Sequence, residues 1–202
     1  MRTSLIIFWL LFSCGIVLRF FAFPLGIILI TLFATLLSIF YALFGFKFFT
    51  GIRKMFAADS YRCIRSEEYI IAAFYGLLFC ITLIGIQLRF RLFVDANLTI
   101  IFGLIGLLFL VFFAELFFHP ALRTSLKNVW VHFLPVYLFG SLALLIPNEK
   151  YTEMAFPDYP EIQQAYACFL NDPENVKVEH TLDSLLNDYY ERRDYQIAIK
   201  EE

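Results

Sequence analysis

The sequence predicts an all-α fold: a polytopic membrane helix bundle of about five transmembrane helices, followed by a helical tail. Three observations lead there. The 202 residues are 60% hydrophobic and 19% aromatic, with 26 Phe, whereas a soluble domain is closer to half apolar and carries more charge. The apolar residues fall into runs near the roughly 20 residues that cross a hydrocarbon core of about 30 Å. Charge is also segregated. From Tyr69 to Ile146 only Arg89, Arg91, Asp95, Glu115, Arg123 and Lys127 are charged, while Pro147 to Glu202 carries 13 acids and 5 bases. A net charge of −2 therefore hides a basic membrane region, 1–146, and an acidic extramembrane tail, 147–202. A tail this acidic argues against nucleic acid as a partner.

The five expected spans are 5–23, 25–46, 69–88, 98–118 and 129–146. The first contains Arg19 and ends at Pro24. An arginine this close to a helix end reaches the interface at modest cost. Leu11-Phe12-Ser13-Cys14 loosely matches a lipoprotein cleavage box, but the apolar run continues past Cys14, and the segment is read as a retained helix.

Orientation follows from the basic residues. Arg2, Lys47, Arg53, Lys54, Arg62, Arg65, Arg123 and Lys127 fall on one side, against Arg19, Arg89 and Arg91 in the opposite short loops. The positive-inside rule then puts the N-terminus in the cytoplasm and the tail in the periplasm or outside the cell; the expected location is a bacterial inner membrane.

Two hexamers 70 residues apart, Gly15-Ile16-Val17-Leu18-Arg19-Phe20 and Gly85-Ile86-Gln87-Leu88-Arg89-Phe90, agree at five of six positions. Each ends a predicted helix just before a short turn. The pattern predicts two parallel hairpin repeats plus a fifth helix. Arg19 and Arg89 would then anchor the hairpin tips, or bind a phospholipid head group or another anion. Small residues at four-residue spacing, Ala34, Ser38 and Ala42 on the second helix and Ala72, Gly76 and Cys80 on the third, mark faces where backbones approach closely in a bilayer. In the loop 48–63, Phe49, Ile52 and Phe56 suit a short amphipathic segment on the membrane surface.

The tail reads as two amphipathic helices. Pro160 opens the first, which carries Ile162, Tyr166 and Phe169 on one stripe. Asn171-Asp172-Pro173-Glu174-Asn175 is a turn signal. The second, 176–193, shows Val178, Leu182, Leu185, Leu186 and Tyr189 on one face. Two such helices bury little by themselves, so docking on another surface is expected.

Ionisable groups inside a bilayer are the default functional candidates. Glu115 and His132 are expected at a common depth, and His119 follows Glu115 by one turn. A carboxylate beside an imidazole can pass protons, and can equally be a polar pair joining two helices. The four cysteines are scattered, and no metal site, cofactor motif or hydrolase signature is present. The expected role is a non-enzymatic structural or adaptor protein, with the bilayer and a protein partner or a second copy as its contacts. The alternative is a proton-coupled motor or transport subunit.

Arg19, with Phe23 and Pro24 at the fourth and fifth positions after it, resembles the Lys-x-x-His-Trp-Pro-Gly turn of the gliding-motility and type IX secretion motor subunits of Bacteroidetes. The resemblance covers the hairpin turns and the helices beside them. It implies inner-membrane hairpins of the kind that form a proton-powered ring with a periplasmic shaft. The second copy keeps Arg89 and Phe93 but has Val94 in place of the proline. Ala22 stands where the motif has histidine, and Gly26 follows Pro24 by two positions. The family's glutamate lies early in its second helix, where 25–46 holds no carboxylate. The resemblance therefore implies lineage and does not carry over the motor function.

Overall fold

The computed structural model describes residues 2–50, 66–117 and 120–201, with side chains for 5–45, 69–113 and 131–191. Every regular element among the described residues is an α-helix: α1 (Arg2–Phe20), α2 (Pro24–Thr50), α3 (Ser66–Phe90), α4 (Ala96–Phe117), α5 (Pro120–Leu145), α6 (Asn148–Ala155), α7 (Pro160–Asn171) and α8 (Val176–Glu201). Pro24, Pro120 and Pro160 each occupy a first helical position, where their missing N–H costs nothing. Three helices contain stretches long and apolar enough to cross a membrane, Pro24–Gly45, Tyr69–Phe90 and Ala96–Phe113. A fourth qualifies if α5 and α6 are taken as one broken span, bent by 92°. The apolar stretch of α1, Leu5–Phe20, is shorter. All five apolar segments of the sequence are thus helical, and three or four of them have the length and composition of a span.

The membrane helices are apolar on both faces. Leu37, Phe79, Ile100 and Val136 are fully buried, while Leu10, Leu98, Phe102, Phe109 and Val131 lie on the outside, each more than half exposed. In water such a surface would drive aggregation; in a bilayer it is the lipid-facing coat. These long apolar helices point to a membrane-embedded protein.

The helices α1 to α4 pack in chain order, with α3 central and α5 laid against α2, α3 and α4. Interhelical packing in lipid depends on close contact, not on expulsion of water. Gly15 meets the Ile30 backbone, and a Cβ on Gly26 would stand 2.5 Å from Arg19 N and 2.8 Å from Arg19 Cα. Gly76 lies on the Tyr41 carbonyl, and Gly103 on Thr82. Hydroxyls in these helices bond back one turn, Ser13 to Trp9 O, Thr35 to Thr31 O and Thr82 to Leu78 O. That answers the need to satisfy polar groups without water.

Both hairpin turns close α-helices with the same hydrogen bonds. Phe23 N donates to Leu18 O at 3.1 Å and Ala22 N to Arg19 O at 2.9 Å; Phe93 N donates to Leu88 O and Leu92 N to Arg89 O, both at 3.1 Å. The left-handed residues are Ala22 (φ 58°) and Leu92 (φ 63°). Each is a Schellman motif, which satisfies carbonyls left open at the helix end. The two motifs lie 70 residues apart, the spacing of the sequence hexamers. Gly15 packs on Ile30 and Gly85 on Ile100, again with a 70-residue offset on both sides of the hairpin.

The tail differs from the expected pair of helices by one element. α6 precedes them, turning away from α5, which stops at Leu145 ahead of Pro147. α7 packs between α6 and α8. Ile162, Ala167 and Leu182 are buried there, and Phe156, Tyr159, Tyr166 and Tyr189 form an aromatic seam.

Candidate functional site

Two polar centres stand out, one between the membrane helices and one at their hairpin-tip end. The first gathers on Tyr41 of α2, which is fully buried. Trp9 Nε1 of α1 donates to Tyr41 Oη at 3.2 Å, and His132 Nδ1 of α5 lies 3.1 Å from the same oxygen. The phenol stacks on Phe79 of α3, with ring centres 4.9 Å apart, and meets the His132 ring edge-on. Trp9 stacks in turn on Phe139. Four helices therefore converge on one tyrosine side chain, whose hydroxyl both accepts and can donate a hydrogen bond. In the bilayer such interhelical bonds contribute on the order of 1 kcal/mol each.

His132 thus bonds to Tyr41, a partner the sequence reading did not name. Glu115 falls in the last turn of α4; its side chain and all of His119 lie outside the described residues, as does the loop from residue 51 onward. The signal for Tyr41 was present in the sequence as the single tyrosine of the second apolar run.

The second centre is built on Arg89. Arg89 is 5% exposed and Arg19, the repeat-related residue, 9%, so both are packed against protein at the hairpin-tip end. Arg89 Nη2 donates to Ile146 O at 3.2 Å. Its guanidinium carbon lies 4.5 Å from the centre of the Tyr151 ring. Tyr151 stacks edge-on against Phe90 and donates its hydroxyl to Ala143 O at 2.9 Å. The arrangement follows from helix chemistry. α5 ends at a proline, its last carbonyls lack intrahelical donors, and the negative end of its dipole attracts a cation. Arg89 supplies that cation from the end of α3, and Tyr151 covers it. Burial pushes the Tyr151 phenol up to about 12, against the opposing pull of Arg89. Arg89 Nε is buried without a partner, which subtracts from the gain.

The small-residue faces are placed as follows. Ala34, Ser38, Ala72 and Gly76 are buried and Cys80 is half-buried, whereas Ala42 is exposed. The close approach of α2 to α3 runs through Tyr41 and Gly45 against Gly76, one position before the expected line. Among the described residues no group of three or more His, Cys, Asp or Glu could hold a metal ion.

No protein-family model, no curated protein and no solved structure matches the chain.

Proposed function

We propose that the chain is a non-enzymatic structural or adaptor protein of a larger complex in a bacterial inner membrane, which carries its helical tail on a fixed mount. The observation behind this reading is the Arg89 clamp. It joins the end of α3 to the corner between α5 and α6, so α6 and the helices packed on it leave the bundle at a set angle. A tail held this way presents a surface in a defined orientation, as an adaptor requires. The α7–α8 pair leaves Tyr159, Val176 and Tyr190 exposed for a partner. The reading takes five spans in two parallel hairpins plus one. It is supported by the two Schellman turns at a 70-residue offset and by a tail that leaves from the hairpin-tip end, where α1 and α3 finish. With the positive-inside rule this puts the tail in the periplasm or outside. The likeness of the hairpin turn to the Bacteroidetes motor subunits fits the same location.

Photo-crosslinking in intact cells tests the proposal. A benzophenone at Tyr190 or Val176 is expected to capture one defined protein, while the same group at Leu98, on the lipid-facing side, captures none. Absence of any adduct at the tail positions would refute the adaptor reading.

The proton-coupled alternative is favoured by one observation, the His132–Tyr41–Trp9 chain within the bundle. Glu115→Gln and His132→Gln separate the two. The adaptor reading predicts assembly and function unchanged by Glu115→Gln; the proton reading predicts assembly with loss of function.

A further inference from the structure

Three arginines sit near the hairpin-tip end, and only Arg91 is exposed. Its side chain lies on the flank of α2, where Nε and Nη2 both donate to Thr31 Oγ1 at 3.3 Å. A guanidinium offers five N–H donors; two are used by Thr31, which leaves three. Among the described residues no carboxylate pairs with Arg91, and the Thr31 hydroxyl proton has no acceptor. About one turn further along α2, the Thr35 hydroxyl, whose proton goes to Thr31 O at 2.8 Å, lies 3.3 Å from Gln87 Oε1. Arg91, Thr31 and Thr35 lie along a groove of about 510 Å³, walled by Ile27, Ile28, Leu32 and Leu36.

We propose that this groove binds an anionic phospholipid, its phosphate held by Arg91 and Thr31 and an acyl chain lying along Leu32 and Leu36. The inference rests on the membrane reading of the apolar helices. The groove combines an uncompensated cation with apolar walls on a surface that faces lipid, so its occupant needs an anion on an apolar stem. A partner helix would have to strip a carboxylate of its water to place it on this lipid-facing flank, whereas a phospholipid already carries its anion at the bilayer surface. Arginine suits phosphate because its planar fork can donate two parallel hydrogen bonds. A zwitterionic choline head group brings a second cation beside Arg91, which favours phosphatidylglycerol over phosphatidylcholine.

Native mass spectrometry of the full chain in neutral detergent, titrated with each lipid, tests this. Wild type is expected to retain one phosphatidylglycerol at roughly tenfold lower concentration than phosphatidylcholine. Arg91→Gln and Thr31→Val should lose that preference. Leu32→Trp, which fills the groove, should lose retention of both lipids. Circular dichroism confirms that each variant is folded, and Thr31→Val or Leu32→Trp decides if Arg91→Gln is not. Equal retention of the two lipids by wild type would overturn the proposal. So would unchanged phosphatidylglycerol retention in folded Arg91→Gln. Displacement by millimolar inorganic phosphate, with Leu32→Trp unaffected, would indicate a bare phosphate site and overturn it as well.

Discussion

The Arg89 guanidinium carbon lies 4.5 Å from the centre of the Tyr151 ring, and from there its Nη2 reaches Ile146 O. One side chain at the end of α3 therefore touches the last carbonyl of the membrane bundle and the first helix of the tail. Arg89→Met should keep the spans and loosen the mount. A hydrogen bond from a charged donor contributes about 1.5–3 kcal/mol and a cation–π contact about 0.5–2, less the penalty of the unpaired Nε. The expected net loss is about 1–2 kcal/mol. Hydrogen exchange should quicken in α6 and α7 while α2 and α3 stay protected. Arg89→Lys should recover only part of the protection, because an ammonium lacks the planar fork.

Ala22 and Leu92 share a left-handed backbone, yet opposite responses to glycine are expected. A non-glycine residue there carries roughly 1–2 kcal/mol of strain. Ala22→Gly relieves it and loses only a methyl group, so thermal stability in detergent should rise slightly, by up to about 1 kcal/mol. The Leu92 side chain is 7% exposed and part of the core. Leu92→Gly should therefore lower stability by about 2 kcal/mol, since the lost packing exceeds the strain relieved.

Glycine to alanine changes should divide according to what the new methyl meets. At Gly26 the nearest atoms are Arg19 N and Cα, both backbone. Gly26→Ala must push α1 off α2 and should cost about 3 kcal/mol or prevent stable assembly. At Gly106 the nearest atom is Leu78 Cδ2, at 2.6 Å. That side chain can change rotamer, and Gly106→Ala should cost less than about 1 kcal/mol. Melting temperatures of the two variants in one detergent decide the matter.

Alkaline pH should release the tail. Burial raises Tyr151 to about 12 and raises Tyr166, with a further push on Tyr166 from Tyr190. Both phenols are favoured neutral in the folded state, so that state holds protons the unfolded chain gives up above the ordinary tyrosine value. Stability is fully present below about pH 10 and is lost as pH rises toward the folded value. For Tyr151 the rise from about 10 to about 12 corresponds to at most about 2–3 kcal/mol. Near-ultraviolet tyrosinate absorbance, followed with helix content, should show late ionisation coinciding with loss of tail structure. Early ionisation of every tyrosine, with no change in helix content, would count against the packing described.

The sequence carried some of these features openly and others hardly at all. The hexamers around Arg19 and Arg89 foretold two turns that share their hydrogen bonds and left-handed residues, because a local motif is written in consecutive residues. Pro160 and the Asn171–Asn175 turn likewise marked α7 and the start of α8. α6 was missed. Its eight residues contain too few apolar positions to set a period, and its place is fixed by Arg89, far away in the chain. Inside the membrane part, helices that are apolar all round carry no periodicity that separates core from lipid. For that reason Ala42 was expected on the packing face that Tyr41 and Gly45 occupy. The Tyr41–His132 bond spans 91 residues and could not be read from spacing at all.

The measurement that tests the central claim most directly is recovery of partners by the affinity-tagged chain in mild detergent, wild type beside Arg89→Met. If the Arg89 mount presents the tail to a complex, wild type should bring down a stoichiometric protein partner and Arg89→Met, with its spans intact, should lose most of it. Recovery of the chain as a lone homo-oligomer in both cases would contradict the account and shift attention to His132 and Glu115.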